Sequence, residues 1–336
     1  MRWPRNSFAN SSPPVIDLTE SCHYNTRACS HSLRQRPPAE EAGSMPISRI
    51  HTLLEKERTL IFPGVYDALG AKLVEQAGFP LTFISGYSVA ATQLGLPDFG
   101  YLTQTEMVAI AKRVCGSVKI PVIIDADTGY GNALNVIRTV NELIDAGAAG
   151  MFLEDQVWPK RCGHMKGKRV IPVEEQVQKI RAAVDARGTR DFFIVARTDA
   201  RQVTGLDDAI RRCRQYKEAG ADALFVEAPR SKEELTSIAR ELPPPLVANM
   251  LEGGVTPLLT RDELEQVGFQ LVVCPLTALY ASAKAMQDMF GLIKSAGTTR
   301  AALDRLIPFQ QFHGIIDLDA YYALDDRYRT PDEGDA

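Results

Sequence analysis

From residue 60 onward the chain alternates, eight times over, a short apolar run of strand length with a stretch of helical periodicity. The runs lie at 60–62, 81–84, 122–124, 151–153, 192–196, 223–226, 246–248 and 271–273, and no long structureless insert separates them. Apolar runs of this length suit strands buried on both faces. Helical patterns such as 105–114, 134–146 and 173–186 lie between most of them. Eight βα units in one chain predict an α/β fold, a (β/α)₈ barrel of the TIM type. Ala77-Gly78, Ala146-Gly147, Ala219-Gly220 and Val267-Gly268 each close a helix just before a strand. Glycine there is predicted to take the left-handed conformation that ends a helix. The unbroken rhythm favours a single barrel domain over residues 45–336 against two smaller ones.

Composition excludes several classes. A formal net charge of −4 leaves no basic footprint for nucleic acid, and no apolar run approaches the ~18 residues of a membrane span. Six cysteines, at 22, 29, 115, 162, 213 and 274, form no CxxC pair. That pattern fits reduced thiols and an intracellular, cytoplasmic location. Residues 1–44 differ from the rest, being rich in Ser, Pro, Asn and Arg without apolar period. They are read as a disordered extension, a mis-assigned start or a mitochondrial or plastid transit peptide. Past Ala278, helical stretches at 280–295 and 300–309 and a tail carrying Tyr321, Tyr322 and Tyr328 exceed what a barrel needs. They are expected to pack on a partner subunit.

The polar residues that follow the apolar runs fall in one phase and are predicted to ring one mouth of the barrel, where active sites of this fold sit. They include Ser85-Gly86-Tyr87-Ser88, Asp125-Ala126-Asp127, Glu154-Asp155, Arg197-Thr198-Asp199, Glu227, Asn249 and Cys274-Pro275. On a continuing strand Asp125 and Asp127 would point the same way. With Glu154 they make an all-oxygen set suited to Mg²⁺, or Mn²⁺, which keeps several waters. A helix N-cap would explain one aspartate but not the three acids. Lys160-Arg161-Cys162-Gly163-His164 sets a cysteine among cations in a glycine-flanked loop. Those neighbours are expected to pull the thiol pKa down, and the loop to act as a water-excluding lid. Arg197 suits a substrate carboxylate, with a salt bridge to Asp199 or Glu227 as its other use. Ser85 and the Gly86 amide suit a second carboxylate oxygen. His51, His313, Cys115, Cys213 and Cys274 are read as structural. Dinucleotide, Walker and nucleophile-elbow motifs are absent.

These motifs, in this order, resemble the isocitrate lyase/phosphoenolpyruvate mutase superfamily over roughly residues 46 to 330. They comprise the Ser85–Ala91 and Leu94–Asp98 segments, Asp125-Ala126-Asp127-Thr128-Gly129-Tyr130-Gly131, Glu154-Asp155-Gln156, the Lys160–His164 segment and Ala196-Arg197-Thr198-Asp199-Ala200. The resemblance implies a modified barrel whose last helices are exchanged between subunits of a homotetramer. It implies Mg²⁺ held directly by Asp125 and through water by Asp127 and Glu154, with Asp98 nearby. Cys162 implies carbon–carbon bond cleavage, with Lys160, Arg161 and His164 beside it as catalytic residues. Ser85, Gly86, Tyr87, Arg197, Glu227 and Asn249 are the expected contacts of a small carboxylic-acid substrate. Ser85–Ser88 and the Asn249–Pro257 segment are most similar to the dimethylmalate type, and Pro275 stands where the superfamily's hydrolases carry a serine. The expected reaction cleaves a substituted (2R)-malate, dimethylmalate-like or methylisocitrate-like, to a 2-keto acid and a monocarboxylate. Oxaloacetate decarboxylation or hydrolysis, a carboxyvinyl-carboxyphosphonate phosphorylmutase-type reaction, and an inactive ligand-binding barrel are the alternatives.

Overall fold

The inward side chains of short parallel strands meet at the centre of the molecule. In the computed structural model, which describes residues 48–330, eight strands close into one barrel in chain order. They are β1 Leu60–Val65, β2 Thr82–Ile84, β3 Val122–Asp125, β4 Gly150–Glu154, β5 Phe193–Thr198, β6 Ala223–Val226, β7 Leu246–Asn249 and β8 Leu271–Cys274. β8 returns to β1, with Leu271 opposite Leu60 and Cys274 opposite Pro63. Phe62, Phe83, Ile123, Phe152, Phe193 and Phe225 fill the interior, while Ile84, Ile124, Leu153, Ile194 and Leu224 face the helices outside. Each such ring or branched chain contributes about 1.5–3 kcal/mol on burial. The helix Arg49–Lys56 presses Ile50, Leu53 and Leu54 onto the inner cluster. Its His51 completes a capping box with Ser48 and stacks edge-on against Phe193, a structural role.

The helix-ending glycines behave as expected, Gly78, Gly147, Gly220 and Gly268 having φ of 83°, 91°, 101° and 111°. The strands run further than the apolar pattern. β5 includes Arg197 and Thr198, and β3, β4 and β7 end on Asp125, Glu154 and Asn249. Ladder pairing ignores side-chain polarity, so Glu154 sits directly across from Arg197 at the sheet edge. The mouth is therefore built on rigid strand ends.

After β8 the helix Thr277–Ala296 leaves the barrel with none of its residues buried. Tyr280, Met286, Phe290 and Ile293 stand exposed along it, and Phe309, Tyr321, Tyr322 and Tyr328 on the elements that follow. The reading of residues 1–44 falls outside the described residues. Among those described, no helix is long and apolar enough to cross a membrane.

Candidate active site

One pocket at the carboxyl ends of the strands gathers Ser85, Tyr87, Asp98, Asp125, Arg197, Glu227 and Asn249 with Lys160, Cys162, Gly163 and His164 of the loop after β4. Phe83, Phe152, Phe225 and Val273 form its floor, and Leu251, Pro275 and Leu276 add further apolar wall. Its free volume is about 50 Å³, room for a few waters or a small acid.

The acids converge, though not along one strand. β3 ends at Asp125, and Asp127 follows in the left-handed region at φ 49°, which corrects the continuing-strand expectation. Its backbone N–H donates to Asp125 Oδ1 at 3.2 Å, and the Gly86 N–H donates to Asp125 Oδ2 at 3.2 Å. The Gly86 amide thus fixes the aspartate. Lys160 Nζ lies 2.6 Å from Asp98 Oδ2 and 2.7 Å from Asp127 Oδ1. Burial would lower this ammonium, yet Asp127, Asp98, Glu154 and Asp125 hold it well above the usual lysine range. Burial pushes Glu154 well above the usual carboxylate range, against Arg197 and Lys160.

Asp155, one residue past Glu154, faces the other way, as successive strand residues do. It accepts from Thr198 Oγ1, the Asp199 N–H, Tyr216 Oη and Arg212 Nη1. It braces the barrel wall and takes no part in the mouth.

The acids fit a hard divalent cation. Every donor is oxygen, Asp125 reaches the pocket, and Glu154 Oε1 is buried without a hydrogen-bond partner. Asp127 Oδ1 also lacks an aligned hydrogen bond despite its ion pair with Lys160. Among the described residues no three His, Cys, Asp or Glu side chains group closely enough to hold a metal ion by themselves, so a cation here would take much of its shell from water. An open set of this kind suits an ion that retains water.

The loop lies shut over the pocket. An antiparallel bridge between Gln156 and Val170 ties its base. The Gln156 amide donates to Arg161 O and accepts from the Arg161 N–H. The Cys162 N–H donates to Asp98 O at 3.3 Å. Gly163 is wedged so closely that a Cβ would stand 2.4 Å from Arg197 Nη2. Lys168, wholly buried, donates to Asp199 Oδ1 at 2.6 Å and to Gly163 O.

Two expectations about the loop are corrected. Burial pushes the Cys162 thiol up to about 11, overriding Lys160 and Arg197, so Cys162 is a held proton and not a thiolate. The Arg161 side chain turns outward, its Nη1 donating to Lys166 O and its guanidinium resting over Phe99. His164 is also committed. The Val255 N–H donates to its Nδ1 at 3.2 Å, so the ring hydrogen lies on Nε2, 3.1 Å from Glu227 Oε1. It clamps the loop and has no free nitrogen for Cys162.

Arg197 donates through Nε and Nη2 to Asp199 at 3.0 and 3.1 Å, and Nη2 also meets Glu154 at 3.4 Å and Glu227 at 3.3 Å. Burial alone would raise Glu227, but Arg197, His164 and Lys168 hold it well below the usual carboxylate range. Ser85 accepts from the Ser88 N–H as an N-cap, which leaves its hydroxyl hydrogen free to donate. Asn249 Nδ2 bridges to both Glu227 oxygens at 3.3 Å. Sequence reasoning missed Lys168, and it noted Gln156 as a motif residue without its part in tying the loop. A lysine in a polar loop carries no local sign of burial, whereas the opposed directions of Glu154 and Asp155 follow from strand alternation.

A closed parallel barrel with acids, an arginine and a loop-borne cysteine at its carboxyl mouth defines a class of barrel enzyme. Residues 50–294 match the family described as phosphoenolpyruvate phosphomutase. The chain belongs to this phosphoenolpyruvate mutase/isocitrate lyase superfamily. It is 55% identical over 285 residues, 84% of each chain, to the Arabidopsis thaliana protein named carboxyvinyl-carboxyphosphonate phosphorylmutase, chloroplastic. The petal death protein of Dianthus caryophyllus is 50% identical across 84% of this chain and 89% of its own. The 2,3-dimethylmalate lyase of Eubacterium barkeri is 44% identical across 84% and 98%. Among solved structures, a 2,3-dimethylmalate lyase superposes with TM-score 0.78 at 35% identity, covering 83% of this chain and 93% of that one. An oxaloacetate acetylhydrolase with 3,3-difluorooxaloacetate reaches 0.78 at 34%, covering 84% and 98%. A phosphonopyruvate hydrolase solved with oxalate and Mg²⁺ reaches 0.74 at 29%, covering 83% and 97%.

Proposed function

We propose that this enzyme is a Mg²⁺-dependent carbon–carbon lyase that cleaves a substituted (2R)-malate of the 2,3-dimethylmalate type to a 2-keto acid and a monocarboxylate. The observation that carries the reading is a buried Cys162 thiol, its pKa pushed up by burial, in the same pocket as Arg197, Ser85 and Asp125. Asp125, with Asp127, Glu154 and Asp98 nearby, would hold Mg²⁺, which would supply Lewis-acid stabilisation of negative charge on oxygen.

Retro-aldol cleavage breaks the C2–C3 bond, turns the C2 hydroxyl into a carbonyl and leaves the electron pair on C3. Arg197 and the Ser85 hydroxyl hold the keto-acid half. Cys162 protonates C3, and the proton released from the hydroxyl balances the one delivered. A thiol held near 11 gives up its proton only to a strongly basic centre such as a carboxylate-stabilised carbanion. Lys160, bound between Asp98 and Asp127, offsets acidic charge and does not act as the acid. The shut loop keeps water from the carbanion, and Leu251, Pro275 and Leu276 offer apolar surface to alkyl groups.

The likeness to the 2,3-dimethylmalate lyase and the petal death protein supports this reading, and the acetylhydrolase likeness supports oxaloacetate as the competing substrate. The exposed helix Thr277–Ala296 supports a homotetramer with exchanged helices. The relative named chloroplastic supports plastid targeting by residues 1–44. The test is 2-keto-acid release from racemic 2,3-dimethylmalate with and without Mg²⁺, by wild type and Cys162→Ala. Metal-dependent pyruvate that vanishes in the variant is expected. Absence of pyruvate from a metal-loaded wild type, with turnover of oxaloacetate, overturns the lyase in favour of the competing substrate.

A further inference from the structure

We propose that Lys168 is a positioning residue that latches the loop after β4 and makes its closure depend on the orientation of Arg197. The ammonium is 1% exposed. It donates to two acceptors of different origin: Asp199 Oδ1, at the end of β5, and Gly163 O, in the loop over the pocket and next to Cys162. Asp199 does not stand alone. Its two oxygens take Nε and Nη2 of Arg197, and its backbone N–H is anchored on the buried Asp155. One carboxylate therefore serves both the arginine that grips substrate and the lysine that shuts the loop.

The coupling follows from the cost of burying a charge. With the loop lifted, Lys168 is in water. With the loop down it is desolvated, which is tolerable only if an ionised partner and a carbonyl meet it. Asp199 presents that partner only while Arg197 holds it in the paired geometry. Gly163 adds a steric condition, since a Cβ there would be 2.4 Å from Arg197 Nη2 and 2.6 Å from Glu227 Cγ. The loop seats only over a correctly placed Arg197. Closure thus reads the site beneath it and brings Cys162 down when Arg197 is in position.

The experiment compares wild type with Lys168→Met, which keeps the stem and removes the charge, and Lys168→Gln, which keeps a neutral donor for Gly163 O. Lys166→Ala, on the outer face of the same loop, is the control. Hydrogen–deuterium exchange of the peptide spanning 157–170 and iodoacetamide labelling of Cys162, read by mass spectrometry, report opening without any substrate. A buried charge-assisted hydrogen bond predicts roughly tenfold to a hundredfold more opening in the Met variant and a smaller rise in the Gln variant. On substrate, kcat should fall about as much while KM moves little. This kinetic half rests on the lyase reading; the exchange and labelling halves do not, so the two can fail separately. Folding of each variant is checked by its melting transition, and the Gln variant carries the test if the Met variant is unfolded. Folded variants whose loop exchange and Cys162 labelling match wild type would overturn the latch. So would opening of equal size in Lys166→Ala.

Discussion

Replacing Gly163 by alanine adds one methyl group and isolates the loop's fit from the rest of the barrel. Gly163 is outside the left-handed region, so alanine meets no backbone penalty and the effect is purely contact. The new Cβ would stand 2.4 Å from Arg197 Nη2, 2.6 Å from Glu227 Cγ and 2.7 Å from Glu227 Cδ. Neither neighbour can retreat cheaply. Arg197 is held by Asp199 at two points, and Glu227 by His164 and Asn249. Overpacking costs about 1–3 kcal/mol, and contacts this short on pinned groups belong at the upper end. Because the loop can lift, the cost falls on the closed state, and the closed-to-open equilibrium constant drops about a hundredfold. The expected result is a fall in kcat/KM of about two orders of magnitude, measured as 2-keto-acid release. The melting temperature should stay within about 2 °C of wild type. A Gly163→Ala enzyme within threefold of wild-type kcat/KM would refute the closed loop as the working state. Activity lost together with a large drop in melting temperature would place the clash in the barrel itself.

Three further outcomes follow from the same geometry. Chelation with EDTA should abolish turnover and Mg²⁺ or Mn²⁺ restore it, while Asp125→Asn should bind Mg²⁺ far more weakly in calorimetry; unchanged affinity would reassign the metal. Cys162 has a folded pKa of about 11 against the ordinary thiol value of 9.0, so the unfolded chain loses this proton first as pH rises. The contribution is whole below pH 9 and lost on passing through about 11, roughly 2–3 kcal/mol at most. Because the loop can lift without the barrel unfolding, the loss is read on the loop: limited proteolysis within 157–170 should speed up more in wild type than in Cys162→Ala across that window, and parallel rates would contradict it. Phe290, 64% exposed on the helix Thr277–Ala296, should support the proposed tetramer, so Phe290→Arg should lower the light-scattering mass relative to wild type; an unchanged mass would remove this face from the interface.

Much of the architecture was legible because local physics writes it into the chain. Eight apolar runs, helical periods between them and glycines at helix ends suffice to predict the barrel, since strand burial and left-handed turns leave their mark on neighbouring residues. The mouth was legible for a related reason: polar residues that interrupt an apolar run in a constant phase sit at the same end of every strand. Asp125, Glu154 and Arg197 stood out on those grounds, and Cys162 on the cations and histidine beside it in the chain.

Direction and charge state were decided only in three dimensions. The cations beside Cys162 in sequence suggested a thiolate, but the folded loop removes the thiol from water and burial outweighs them. Arg161, adjacent to the cysteine, turns out over Phe99, while Lys168, six residues past Cys162, turns in to Asp199. His164 meets Glu227 and the Val255 N–H, groups far along the chain that consume both ring nitrogens. The sequence by itself determined which elements form and which residues reach the mouth, because strand alternation and helix-ending turns act over a few residues. Tertiary structure decided which of them are buried, paired or protonated, because desolvation and Coulomb forces act through space between residues the chain keeps far apart.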